Sequence, residues 1–296
     1  MVWQAFVRNW LQQKAREAIY EQMAAAREQA AGSGETPAPQ PCDVGLVFAL
    51  GIESGGLEDL LSDLVVTRGR GFTVRQGKLA GRSLVLMEAG IGRAAAARGA
   101  QLLIDGHRPS WIISAGFAGG LQPHVRRGDI VLVNQVAEPS GGCLSIDLRV
   151  NPASLAAGVH VGGLVTVEQV VATSAEKQVL GEKHGALAVD METWGVAEVC
   201  RQAKIRFLAV RAISDALEDE LPPEIGKLVR QKSTAGRLGA ATAALWQRPG
   251  SAKDMLKLKQ TAIEVSDRLA KFLSGVVTQL VPETNSIAER GIGNGE

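Results

Sequence analysis

From Val44 onward, short apolar runs alternate with helical patterns, and no other feature of the chain constrains its fold as tightly. The runs are Val44–Leu50, Ser83–Glu88, Trp111–Ala115, Asp129–Val136, Leu164–Val171, Leu187–Met191 and Phe207–Ser214. Helical stretches are expected at about 91–106, 193–203 and 225–247. Strands interleaved with helices mean βαβ units: an α/β fold with a central, mostly parallel or mixed sheet and helices on both faces.

The flanks have a different texture. Residues 2–31 read as one amphipathic helix with Trp3, Phe6, Trp10 and Leu11 on one face. Gly32 to Pro41 is a linker in which Gly and Ser give way to Pro. Arg248-Pro-Gly-Ser251 is a second break. A second amphipathic helix is expected at 252–281, with Leu256, Ile263, Leu269, Phe272, Leu273 and Val276 among its apolar positions. The polar tail from Pro282 is expected to be disordered. The organisation so read is a helix and linker at 1–41, a catalytic-type domain at 42–248, and a C-terminal helix and tail at 249–296. The polar face of the first helix mixes both charge signs, so docking against the second extra helix is favoured over a membrane surface.

Composition narrows the function. The 296 residues carry 32 Lys+Arg and 31 Asp+Glu, a formal charge of +1. That balance argues against a chain whose main task is gripping nucleic acid or an anionic membrane. Three cysteines, Cys42, Cys143 and Cys200, form neither a disulfide framework nor a zinc motif. A reducing compartment, the cytoplasm, is the expectation. The N-terminus has no signal-peptide pattern, and no apolar stretch reaches the roughly 20 residues that span a bilayer.

Ligands of open α/β sheets bind outside the carboxyl ends of the strands. Those ends hold Gly51-Ile-Glu53, Ala89-Gly-Ile-Gly92-Arg93, Gly116-Phe-Ala-Gly-Gly120, Asp190-Met191-Glu192 and Ser214-Asp215. Three carboxylates, Glu53, Glu192 and Asp215, thus converge with two glycine-rich turns. Each has a plainer reading: an acid after a strand is often the first-turn acid of the next helix. The convergence of all three is what that reading leaves unexplained. The four histidines, His107, His124, His160 and His184, fall in loops or helix ends, which disfavours a His-based triad or metal site. Gly90-Ile-Gly92-Arg-Ala-Ala95 imitates a dinucleotide fingerprint. It follows the wrong strand, however, and the position where an acid should bind ribose holds Ala115-Gly116. No cofactor is expected.

These segments, in this order and spacing, resemble the methylthioadenosine/S-adenosylhomocysteine nucleosidases of the nucleoside phosphorylase superfamily. The resemblance covers about 44 to 245. It is carried by Val44-Gly-Leu-Val-Phe-Ala-Leu with Glu53, Ala89-Gly-Ile-Gly-Arg-Ala-Ala-Ala, Ser114-Ala-Gly-Phe-Ala-Gly-Gly-Leu121, Arg127-Gly-Asp-Ile-Val131, Ala188-Val-Asp-Met-Glu192 and Val210-Arg-Ala-Ile-Ser-Asp215. It implies a three-layer αβα fold and a nucleosidase that hydrolyses the N-glycosidic bond of a 5′-substituted adenosine. In that reading Asp215 protonates the purine N7, Glu53 activates water and Glu192 binds the ribose hydroxyls over Met191. Gly92, Ala115, Gly116 and Ser214 line the substrate pocket, and Val171 stands where the family places a stacking aromatic. The implied partners are a small nucleoside and a second copy of the chain.

The chemistry of the residues agrees. A purine leaves only when protonated, which asks for an acid beside the base. Bond breaking builds positive charge on the ribose, which carboxylates stabilise. Two departures bear on the substrate: Gly51 and Ile52 stand where many nucleosidases have further acids, and Ala137 to Gly163 is shorter than in the methylthioadenosine enzymes. The shortening resembles the hopanoid-associated branch, thought to act on adenosylhopane. Phosphorylases of the superfamily place arginine on the first loop; here Leu50-Gly-Ile-Glu-Ser-Gly-Gly-Leu57 has no cation, and Arg93 is the nearest one. Hydrolysis is therefore expected over phosphorolysis. The third alternative is a non-catalytic nucleoside-binding protein.

Overall fold

The first strand, β1 (Val44–Phe48), is buried at every position. Val44, Leu46 and Phe48 enter one core cluster and Val47 enters another, so the strand is covered on both faces. The structure, a computed structural model, describes residues 41–69, 72–148, 150, 155–221 and 251–280, with side chains of the last helix from residue 260. The expected helices at 2–31 and 225–247 lie outside the described residues.

After β1 come α1 (Gly51–Glu58), β2 (Ser62–Gly69), β3 (Phe72–Leu79), β4 (Arg82–Glu88), α2 (Arg93–His107), β5 (Trp111–Gly120), β6 (Ile130–Ala137) and β7 (Cys143–Ser145). They are followed by β8 (Val159–Thr166), α3 (Ser174–His184), β9 (Ala188–Asp190), α4 (Thr193–Ala203), β10 (Arg206–Asp215) and α5 (Ser251–Leu280). One mixed sheet runs β10-β6-β8-β9-β5-β1-β4-β3-β2, with β7 on β6. β5 also pairs with β10 in parallel, so β5, β10, β6, β8 and β9 close on themselves. Helices α2 and α4 cover one face through Ala96, Ala100, Leu103, Val196 and Cys200. Helices α1 and α5 cover the other through Leu57, Val265, Leu269, Leu273 and Val277.

Several local expectations change. Gly116–Gly120 is not a turn but the second half of β5, where Gly119 and Gly120 pair with Val189 and Ala188 of β9. The β2–β3 hairpin was not expected, because β2 is exposed or half-buried throughout and shows no apolar run. β8 begins earlier than Leu164 and ends at Thr166, which leaves Val171 in the connection to α3. Helix α5 is no appendage: its inner face is part of the main core.

Candidate active site

Glu53 sits in the first turn of α1 and is buried. Its Oε2 accepts hydrogen bonds from the backbone N–H groups of Ala49 and Leu50, each at 2.9 Å. Its Oε1 accepts from Phe117 N–H on β5 at 2.9 Å. The plain helix-capping role is therefore real, yet the third bond carries the carboxylate across to another strand. A Cβ at position 116 would lie 2.8 Å from Oε1, so glycine there lets the acid close on β5. Burial pushes the Glu53 carboxyl above its ordinary range, partly offset by the three N–H groups and Arg211.

Glu192 is the residue before α4. Its Oε1 accepts from Gly92 N–H at 2.7 Å and its Oε2 from Met191 N–H at 3.2 Å. Gly92 reaches that position with φ 98° and ψ 155°, backbone angles that a side chain would strain. Burial, with Asp190 and Glu53 nearby, pushes the Glu192 carboxyl up to about 8. Glu53 and Glu192 line one small cavity together with Val47, Phe48, Ala49, Ala115, Gly116, Phe117 and Arg211.

A buried network sits under that cavity. Arg211 donates to Asp190 Oδ2 from Nε at 2.9 Å and from Nη2 at 2.8 Å, and to Ser114 Oγ at 2.7 Å. Asp190 also accepts from Thr166 Oγ1 at 2.7 Å and from both the N–H, at 3.0 Å, and the hydroxyl of Thr193. These bonds tie β5, β8, β9 and β10 to α4, which fixes the backbone carrying Glu192. Breaking a buried ion pair of this kind by removing one partner costs about 3–5 kcal/mol.

Asp215 ends β10, further along the strand pair that holds Arg211: Arg211 lies opposite Gly116, and Asp215 opposite Gly119. Its Oδ1 accepts from Ser214 Oγ at 2.6 Å and its Oδ2 is 2.6 Å from Lys177 Nζ. Of the residues singled out from sequence, Glu53, Glu192, Ala115 and Gly116 line the cavity together. Gly92 and Met191 hold the Glu192 carboxylate, and Ser214 holds that of Asp215. Asp215, Ser214, Met191, Gly92 and Val171 are not among its lining residues; Val171 packs beside Leu121, Val165, Ala186 and Val189.

Sequence reasoning gave no role to Arg211, Asp190 or Lys177. Arg211 carries a signal: a charge inside the apolar run Leu208 to Ile213 needs a buried acid somewhere. Lys177 carries none, because α3 is polar around most of its circumference. Arg93, the nearest cation outside this network, is held by Glu138 at 2.5 Å and Glu198 at 3.2 Å, and lies 5.4 Å from the Trp194 ring centroid. Among the described residues no cluster of three His, Cys, Asp or Glu side chains could hold a metal ion, and no helix is long and apolar enough to cross a membrane.

A doubly covered mixed sheet with acids and glycines at its strand ends is the architecture of a known class. A sequence model of the phosphorylase superfamily matches residues 43–240, and the chain belongs to that superfamily. Among solved structures it is similar to the 5′-methylthioadenosine/S-adenosylhomocysteine nucleosidase of S. pneumoniae bound to a transition-state inhibitor. That match has a TM-score of 0.62 and 18% identity, and covers 81% of this chain and 100% of that one. The S-adenosylhomocysteine nucleosidase of Streptococcus pyogenes, in complex with 5-methylthiotubericidin, gives a TM-score of 0.61 at 18% identity, over 84% of this chain and 100% of that one. A nucleosidase of the same kind from Colwellia psychrerythraea, in complex with adenine, gives 0.58 at 21% identity, over 81% of this chain and 96% of that one.

Proposed function

We propose that the chain is a nucleosidase that hydrolyses the N-glycosidic bond of a 5′-substituted adenosine and releases adenine. The observation that carries this reading is the pairing of Glu53 and Glu192 in one cavity. Glu53 is held by three backbone N–H groups, and burial raises its basicity. A carboxylate so held takes a proton from water at neutral pH more readily than an exposed one. Glu192 supplies acceptor oxygens for the ribose hydroxyls. Asp215, at the same end of the sheet, stands beside the base and delivers the proton that N7 needs.

Charge favours water over phosphate as the nucleophile. Two carboxylates face the cavity, while Arg211 and Arg93 already hold acids of their own. A phosphate dianion placed there finds both of these guanidinium groups already engaged. The structural relatives named above, nucleosidases of methylthioadenosine and S-adenosylhomocysteine, support adenine release. The shortened stretch between Ala137 and Gly163 keeps a bulkier 5′ substituent, including a hopanoid one, within the reading. A homodimer acting in the cytoplasm, within methionine salvage, completes the proposal, with 42–248 and the helix α5 as its catalytic unit.

The test is adenine release from methylthioadenosine and S-adenosylhomocysteine, with and without phosphate. Release that is independent of phosphate is expected. A strict phosphate requirement would point to a phosphorylase, and binding without turnover to a nucleoside-binding protein.

A further inference from the structure

Lys177 lies on α3, outside the cavity, and its side chain is fully buried. An isolated buried ammonium is strongly disfavoured, so its surroundings must answer it. They do: Nζ donates to the Ala216 carbonyl at 2.7 Å and the Asp219 carbonyl at 2.8 Å, and lies 2.6 Å from Asp215 Oδ2. The two carbonyls can only accept, so two N–H bonds of Nζ point at them, and the third contact holds one proton between Nζ and Asp215 Oδ2. The second oxygen of Asp215 already accepts the Ser214 hydroxyl at 2.6 Å. The proton that Asp215 can pass on is therefore the one it shares with Lys177.

We propose that Lys177 is a positioning residue that acts through Asp215, aiming its carboxyl and supplying the proton that Asp215 passes to the purine N7. The proposal rests on the nucleosidase reading above. As the C1′–N9 bond breaks, its electron pair stays on the purine and N7 becomes basic. An Nζ–H bond of Lys177 breaks as an O–H bond forms on Asp215; that O–H bond then breaks as N7–H forms. Adenine leaves neutral. The attacking water gives hydroxide to C1′ and its proton to Glu53; Glu53 then releases that proton to solvent, and solvent returns one to Lys177. Among the described residues, two acids face Lys177. Asp215 faces it from β10 and Asp219 from the turn that follows, and Asp219 is itself held by Arg127 at 2.7 Å. Thr173 and Glu176 cap α3, which fixes where Lys177 enters.

The experiment is the pH profile of kcat/KM for adenine release by the wild type, Lys177→Met and Lys177→Arg, with folding followed by thermal melting. In Lys177→Met, Asp215 must take its proton from solvent. Activity is then expected within about 10-fold of wild type near pH 5 and down about 100-fold or more near pH 8. Lys177→Arg keeps the charge but cannot release a proton, so it should show the same alkaline loss with KM little changed. If Lys177→Met does not fold, the arginine variant decides alone. A uniform loss at every pH, no loss, or full rescue of kcat by arginine overturns the proton supply while leaving the nucleosidase reading intact. A wild type that releases no adenine from either substrate overturns both.

Discussion

At the scale of single residues, the roles proposed for the three acids are separable. Asp215→Asn keeps the size and the Ser214 contact but cannot carry a proton. Adenine release should fall about 100-fold or more, and the variant should melt lower, because the buried Lys177 loses its charge partner. Glu53→Gln should abolish hydrolysis in the same range while adenine still binds, measured by calorimetry, because its proposed task is on water. Glu192 makes a prediction about stability. Folded, its carboxyl holds a proton up to about pH 8; in the unfolded chain it loses that proton near the ordinary carboxyl value of 4.5. Between those limits the folded state binds more protons than the unfolded one, so stability falls as pH rises. Glu192→Gln has no such proton. Urea midpoints of the variant should decline less between about pH 5 and about pH 8.5 than those of the wild type. An unchanged slope would place the titrating group elsewhere.

At the scale of elements, the contact that matters for the site is α5 against α1, the helix that bears Glu53. Ser266 Oγ accepts from Gly56 N–H at 3.3 Å and approaches the Glu53 carbonyl at 3.5 Å. A Cβ at Gly56 would lie 3.0 Å from Ala270 Cβ and 3.1 Å from the Ser266 carbonyl oxygen, whereas one at Gly55 would meet nothing within 4 Å. The two neighbouring glycines should therefore answer alanine with opposite signs. Gly55→Ala removes backbone freedom from the unfolded chain and should stabilise by about 0.5–1 kcal/mol. Gly56→Ala forces the helices apart and should destabilise by about 1–3 kcal/mol. It should also lower adenine release, because α1 moves with Glu53. Thermal melts of the pair read both signs in one experiment.

For the whole molecule, the boundary of the catalytic unit is the open matter, and α5 settles how it should be drawn. Val265, Leu269, Leu273 and Val277 are at most 3% exposed and share one cluster with Leu46, Leu86 and Ile113 of the sheet. Removing 251–296 should therefore yield insoluble or unfolded protein. Removing 1–40 should leave adenine release from soluble substrates within a few-fold of the full chain, since residues 43–240 match the superfamily and α5 completes the core. Activity assays on the two truncations check both outcomes. The sequence by itself determined the α/β class, the central strands, and Glu53, Glu192 and Asp215 as strand-end acids, because buried strands announce themselves as apolar runs and ligand sites follow their ends. It missed the β2–β3 hairpin, whose half-exposed strands have no such run, and it took the glycines of β5 for a turn. Only the tertiary structure decided that α5 belongs to the core, that Arg211 answers Asp190, and that Lys177 lies on Asp215. Those pairings join residues of different elements, and a side chain's partner across a fold is set by packing in three dimensions, which no local period in the chain encodes.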